Sequence, residues 1–297
     1  NIFSILVGSL GVIESLLRFN PIYGFFVNNP YYERYITGFV RPMSTQFNPV
    51  VLGSYLLGCL PFNFLLFKQK RSFWSILGAA GIVLNTVIII LTFSRGVFLG
   101  LIAMIGFYLV SIKKFRQLSL FLGALLIFVI ICSYSPYPFN RYGVNLMTIG
   151  GSGMVSNYRF NRLAMVGRII KEHPFAGIGF QHFRLRFYEY YPYKDTVPYE
   201  FMIPDNMYLT ILAETGVLGF LGFLLFIFSI FKKAYRKLKT LSNKPQKKQQ
   251  LFLILSSFVG LLVNMAAYEL FYWPNIYLYF CILTGLIEAF YRDRGAA

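Results

Sequence analysis

The chain is written as long apolar runs separated by short polar or basic segments. A helix needs about 20 apolar residues to cross a hydrocarbon core of about 30 Å. By that measure the runs predict spans near residues 1–17, 48–67, 72–91, 96–112, 118–135, 206–231, 251–270 and 275–291. The expected fold is therefore all-α, a polytopic transmembrane helix bundle of about eight spans with a large outer loop containing interfacial helices. We read 1–297 as a single transmembrane domain and 136–204 as a loop subdomain. The first run begins part-way through at Asn1 with no methionine ahead of it, so the reading is a fragment of a longer chain, with spans before Asn1.

Composition agrees with the periodicity. Fifty-seven per cent of the 297 residues are hydrophobic and 13% charged, more apolar surface than a soluble domain can hide. A formal charge of +17 raises the question of nucleic acid, but its distribution excludes that reading. Sixteen of the 28 basic residues lie in four connectors, 68–71, 113–117, 232–250 and 292–295. They alternate correctly with the others if all four are cytoplasmic. The opposite side then holds residues 18–47, the reversal at Ser94-Arg95-Gly96, the segment 136–204 and a short "YWPN" turn at 272–275. Ten of the twelve basic residues there are arginine, whose planar fork suits phosphate better than an ammonium does. Anchoring of helix ends among headgroups is the plainer explanation for any one of them. Cys59, Cys132 and Cys281 lie in apolar runs without metal-ligand spacing, which predicts neither a disulfide framework nor a zinc site.

The 69 residues of 136–204 form too long a connection to be passive. Within them "SNYRFNRLAMVGRIIKE" (156–172) places Leu163, Val166, Ile169 and Ile170 at helical spacing, with Arg159 and Arg162 one turn apart, and predicts a helix lying at the membrane surface. It ends at His173-Pro174, and "GIG" (177–179) marks a tight turn or a close backbone approach. "FRLRFYEYYPY" follows, suited to the interface or to stacking on sugar rings. His173 reads as structural, and His182 has no paired ligand.

The stretch "PDNMYLTILAETGVLG" (204–219) is unusual for a helix entering lipid. Asp205 after Pro204 is placed to cap it. Glu214 lies nine residues on, on the opposite face and about 13 Å deeper. An acid at that depth costs about 3 kcal/mol unless it meets protein or water, so Glu214 is expected to pair with a polar group on a neighbouring helix, admitted by Gly216, Gly219 and Gly222. Three polar clusters mark helix mouths on one side: "RPMSTQFNP" (41–49, with Arg41, Gln46 and Asn48), "TFSRG" (92–96, with Arg95) and "PDNMYL". They describe a surface site rich in guanidinium and amide groups, with one carboxylate.

At these residues the sequence resembles the O-antigen ligase and polysaccharide polymerase superfamily of bacterial membrane glycosyltransferases. "RPMSTQFNPVVLGSYL", "TFSRGVFLGL", "RLAMVGRIIKEHPFAGIGFQHF" and "DNMYLTILAETGVLGFLGF" occur in family order over residues 41 to about 224. The resemblance implies a metal-independent, cofactor-free enzyme of the inner membrane, active on the extracytoplasmic side. Its donor would be a glycan on undecaprenyl pyrophosphate, its acceptor another glycan. Membrane lipid and proteins of chain-length control and export would be its partners, and nucleic acid would not. In the ligases the corresponding helix mouth has His, a polar residue, nine residues, then Gly-x-x-Gly. Here Asp205 takes the histidine position, followed by Asn206, nine residues and Gly216 to Gly219. A carboxylate with an ordinary pKa near 4 is a weaker base than imidazole, which favours the polymerase branch.

On this reading Arg41, Arg95 and Asp205 are the catalytic residues. Both arginines hold pyrophosphate, and Asp205 orients or deprotonates the acceptor. Arg159 or Arg162 closes over from the loop, while Asn206, Tyr208, Asn48 and Gln46 contact substrate. Transfer of finished polymer to a lipid, protein or wall acceptor is the alternative. A transporter of lipid-linked glycan is a further rival. It requires charged residues along a path to both faces.

Overall fold

In the computed structural model of the chain, the described residues are 2–22, 35–36, 39–69, 72–136, 138–143, 154–191 and 202–292. Each expected span is a helix: α1 Ile2–Leu17, α2 Pro49–Phe67, α3 Ser72–Leu91, α4 Arg95–Ser111, α5 Phe115–Tyr134, α8 Met207–Thr240, α9 Pro245–Met265 and α10 Pro274–Arg292. Two elements of the outer segment are also helical, α6 Met154–Glu172 and the short α7 Phe187–Tyr190. A two-residue antiparallel pair, Tyr35–Ile36 with Phe39–Val40, precedes α2. Helices α2, α3, α5, α8 and α9 are long and apolar enough to cross a membrane, whereas α1 and α4 are apolar but shorter.

Several boundaries differ from expectation, and helix α9 already begins at Pro245 rather than 251. Helix α8 continues through the lysines to Thr240, because basic residues in a last turn complement the helix dipole. Helix α9 stops at Met265 rather than 270, where Ala266 and Ala267 turn back onto the carbonyls of Val263 and Asn264. The expected "YWPN" turn is thus the junction of α10 with a longer connector, 266–273, that contains a 3-10 turn at Leu270–Tyr272.

Helix α9 is the centre of the bundle, packed against α4, α2 and α10. The pairs α2–α3, α1–α3, α8–α10 and α6–α8 are the other main helix contacts. The α4–α9 crossing is close because glycines face each other: a Cβ on Gly100 would lie 2.6 Å from the Gly260 carbonyl oxygen. Helix α5 is peripheral and buries only Cys132. Behind it Tyr142 stacks among Phe93 and Phe98 and donates its hydroxyl to Ile90 O at 2.8 Å, fixing the chain between α5 and α6.

The decisive local feature is a break in α8. Gly216 has φ 64° and ψ −171°, a region open essentially to glycine alone. The segment after α6 inserts there: Ile178 N–H donates to Ala213 O (3.1 Å) and Gly179 N–H to Glu214 O (2.9 Å), while Val217 N–H donates to Pro174 O (2.8 Å). Main-chain groups freed by the break are therefore paired with the outer segment, as a low-dielectric setting demands. Gly177, at φ 66°, and Gly216 permit the approach, since a Cβ on either would sit 2.5 Å or less from carbonyl atoms of the other strand. The "GIG" reading of a close approach holds. The role expected of Gly216, Gly219 and Gly222 does not. Gly216 meets a loop rather than a helix, a Cβ at Gly219 would meet its own Thr215, and one at Gly222 meets nothing within 4 Å.

Gly216→Ala is expected to cost about 1–3 kcal/mol from backbone strain alone, with more from the clash. Thermal unfolding in detergent should show a lowered midpoint, whereas Gly222→Ala should leave it near that of the unaltered chain.

Candidate functional site

A cavity of about 520 Å³ opens where the three polar mouths meet. Its walls include Arg41, Ser94, Arg95, Arg141, Asp205 and Asn206, closed on one side by Ala266, Ala267 and Tyr268 of the α9–α10 connector. It lies at the N-termini of α2, α4 and α8, away from the lysine-rich connectors that follow Phe67, Ser111 and Thr240. Each N-terminus presents the positive end of a helix dipole. Ser94, the residue before α4, makes no capping bond with its side chain. Three guanidinium groups, three dipole ends and one carboxylate thus share one concavity of ligand size.

The arms are held from behind. Arg41 donates its Nε to Thr92 O at 2.7 Å. Its segment is fixed by buried Glu14 of α1, which accepts from the N–H groups of Met43 (2.9 Å) and Ser44 (2.7 Å). Ser44, Phe93 and Asp205 have φ of 50°, 47° and 53°. Each of the three mouths therefore contains a non-glycine residue in the left-handed region, a strain that sites commonly store.

Two asparagines serve twice. Asn48 caps α2 by accepting from Val50 N–H, and donates its Nδ2 to the Tyr268 hydroxyl at 2.9 Å. Asn206 caps α8 by accepting from Tyr208 and Leu209 N–H, and donates its Nδ2 to Ala266 O at 2.9 Å. Both clamp the connector to the cavity. The expectation that Asp205 caps α8 is therefore corrected: Asn206 does so, because Asp205 is committed to an ion pair with Arg162 of α6. Arg162 is only 4% exposed, and the pair ties the outer helix to the cavity edge.

A second acid lies behind Asp205. Glu269, on the connector, is fully buried. Burial, and then the Asp205 charge, push its carboxyl up to about 8, against smaller opposing effects from Arg184 and Arg162. Glu214 is buried at the helix break, where it accepts from Phe183 N–H at 3.2 Å and from the Tyr272 hydroxyl. Its expected polar partner exists, on the connector and a loop rather than on a neighbouring helix.

Of the residues singled out from sequence, Arg41, Arg95, Asp205 and Asn206 come together on the cavity wall. Arg162 stands behind it, reaching Asp205. Three expected substrate contacts are spent on structure. Asn48 is 6% exposed and capped into α2. Tyr208 donates its hydroxyl to Leu262 O at 2.8 Å. Gln46 is bonded to Thr45 and Asn275. Arg159 lies on α6, but its side chain is outside the described ones. Leu163, one of the apolar positions read at helical spacing on this helix, is exposed and lines the cavity. Arg141, Glu269 and Tyr268 were missed. His173 meets the Tyr190 hydroxyl and His182 the Phe180 carbonyl, both apart from the cavity.

Residues 80–224 match the protein family described as O-antigen ligase. The match covers just under half of the chain and supports an O-antigen ligase-like superfamily for that stretch. The O-antigen ligase match runs from within α3 to within α8 and contains Arg95, Arg141, Arg162 and Asp205, while Arg41 and Glu269 lie outside it. Comparison of the chain with curated proteins gives no match.

Asp205→Ala should destabilise the fold, by about 3 kcal/mol, because it leaves a buried guanidinium uncompensated. Asp205→Ala with Arg162→Met should recover most of that loss. A thermal-shift double-mutant cycle measures it, and additive losses would refute the coupling.

Proposed function

We propose that the chain is a membrane glycosyltransferase that polymerises undecaprenyl-pyrophosphate-linked glycan repeats on the extracytoplasmic side of a bacterial inner membrane. The observation that carries this is the convergence of Arg41, Arg95 and Arg141 with three helix N-termini on a cavity holding a single carboxylate. Such a place favours a compact, multiply charged anion. The O-antigen ligase match supports the class of enzyme.

In this reading the acceptor hydroxyl attacks the anomeric carbon of the donor. The new carbon–oxygen bond forms as the bond to the diphosphate oxygen breaks, and that oxygen leaves with the electron pair. Arg41, Arg95 and Arg141 stabilise the leaving charge. Asp205 faces the acceptor, orients its hydroxyl and accepts its proton. Arg162 moderates Asp205 through their ion pair and, with Arg159, belongs to the outer helix that covers the donor. The cavity opens at one end of the bundle, which suits transfer at a surface better than passage across it.

A ligase that delivers finished polymer to another acceptor is the second reading, favoured by the description of the matched family. Acceptor identity in a reconstituted system separates the two.

Polymer length on undecaprenyl-linked repeats tests the assignment. Arg95→Ala should slow extension by about 10²-fold or more. Asp205→Asn, which keeps an acceptor beside Arg162 but not its counter-charge, should do the same with a smaller loss of stability than Asp205→Ala. Full-length polymer from both variants would remove the assignment.

A further inference from the structure

At the end of the bundle opposite the arginines, a second cavity of about 300 Å³ lies between α2, α3, α4 and α9. Its lining is mostly apolar, with Leu60, Phe64, Ile82, Met104 and Leu253 among its side chains. Leu101 and Tyr108 of α4 both line it, and at 1.5 Å per residue that separation makes the slot about 10 Å deep. One leaflet of bilayer hydrocarbon is about 15 Å deep. The lining residues Ile82, Thr86 and Ile105 are only half-buried, and Val83 and Val87 beside them are exposed. The slot therefore opens on the outer surface of the bundle, where lipid lies.

Its rim is polar and cationic. Gln249 of α9 donates its Nε2 to the Tyr108 hydroxyl at 2.6 Å, and that hydroxyl's own proton has no acceptor among the described residues. Beyond Tyr108 the chain folds back at once: Lys113 N–H donates to Val110 O and Lys114 N–H to Leu109 O, both at 3.0 Å. Both lysines are thus held within a turn of Leu109, which lines the slot. Gln117, next to Arg116, lines it too. On the α2 side Lys68 lies over the ring of Phe64, 5.2 Å from its centroid. Lys68, Lys113, Lys114 and Arg116 are exposed and form no salt bridge among the described residues. The described acid at this end, Glu288, is taken by Lys233 and Arg292. Topology alone explains basic connectors. It does not require that they ring an apolar slot with a free hydroxyl proton at its mouth.

We propose that this slot binds one anionic phospholipid: an acyl chain fills it, an ester carbonyl accepts from Tyr108, and the phosphate sits among Lys68, Lys113, Lys114 and Arg116. Charge and shape select that occupant together. A soluble phosphate would leave the apolar walls uncovered, and a lipid without net charge would leave the cations without a counter-charge. Each basic side chain beside an anionic headgroup strengthens binding about fivefold. The site lies apart from the arginine cavity and stands whether or not the chain is a transferase.

Native mass spectrometry of the full chain released from nanodiscs tests the site, with phosphatidylglycerol and phosphatidylcholine of matched acyl length as probes. One phosphatidylglycerol per chain should be retained in preference to phosphatidylcholine. Lys114→Ala with Arg116→Ala should lower that retention about tenfold or more, and Tyr108→Phe should lower it less. Thr86→Trp and Ile105→Trp fill the slot from two different helices and should lower retention with every cation still present, so either one serves if the other does not fold. Thermal unfolding in detergent gives a second readout: added phosphatidylglycerol should raise the midpoint of the unaltered chain but not of the filled variants. Undiminished retention by a folded, filled variant means that the lysines hold headgroups without the slot, and overturns the proposal. Equal retention of phosphatidylcholine overturns it as well. So does equal stabilisation by glycerol 3-phosphate, which carries the charge without the chain.

Discussion

The structure depends on a main-chain exchange at Gly216. A helix interrupted within an apolar run exposes N–H and C=O groups that lipid cannot satisfy. Here the interruption is tolerated because residues 174–179 supply the missing partners. The same bonds fasten a segment that would otherwise lie loose over the bundle. Through them α6 is brought to a fixed place, and Arg162 reaches Asp205 across 43 positions of sequence. Glu214 at the break ties in Phe183 and Tyr272. The helix break, the outer segment and the α9–α10 connector are thus one joined unit.

Around that unit the charges are unequal by design of the cavity. Cationic groups and dipole ends dominate the wall, while the acids near it are few and each is restrained. Asp205 is held by a buried arginine, Glu14 is occupied by two backbone donors, and Glu269 is shut away from water. A carboxylate left loose among the arginines would compete with a phosphate for the same donors.

Much of this was legible in the sequence because the signals were local. Apolar run length located the helices, lysine placement gave the two ends, and Asn48-Pro49, Ser94-Arg95 and Asp205-Asn206 marked the mouths. What failed needed distant partners. Aspartate and asparagine cap equally well, and only Arg162 decides between Asp205 and Asn206. Glu269 was absorbed into an apolar run because a single acid barely changes the average of a 20-residue window. Gly216 looked like a packing surface because a left-handed residue is visible only once the inserted backbone is known. Arg141 sat in "SPYPFNRYG" without a repeat or partner in sequence to single it out.

The two clamping asparagines carry no charge, and this separates the shape of the cavity from its grip. Dissolved salt screens the attraction between guanidinium groups and an approaching anion, yet amide-to-hydroxyl and amide-to-carbonyl bonds are indifferent to it. Raising the ionic strength would therefore weaken the cavity's attraction for the proposed anionic donor without opening its wall, so the vessel keeps its form.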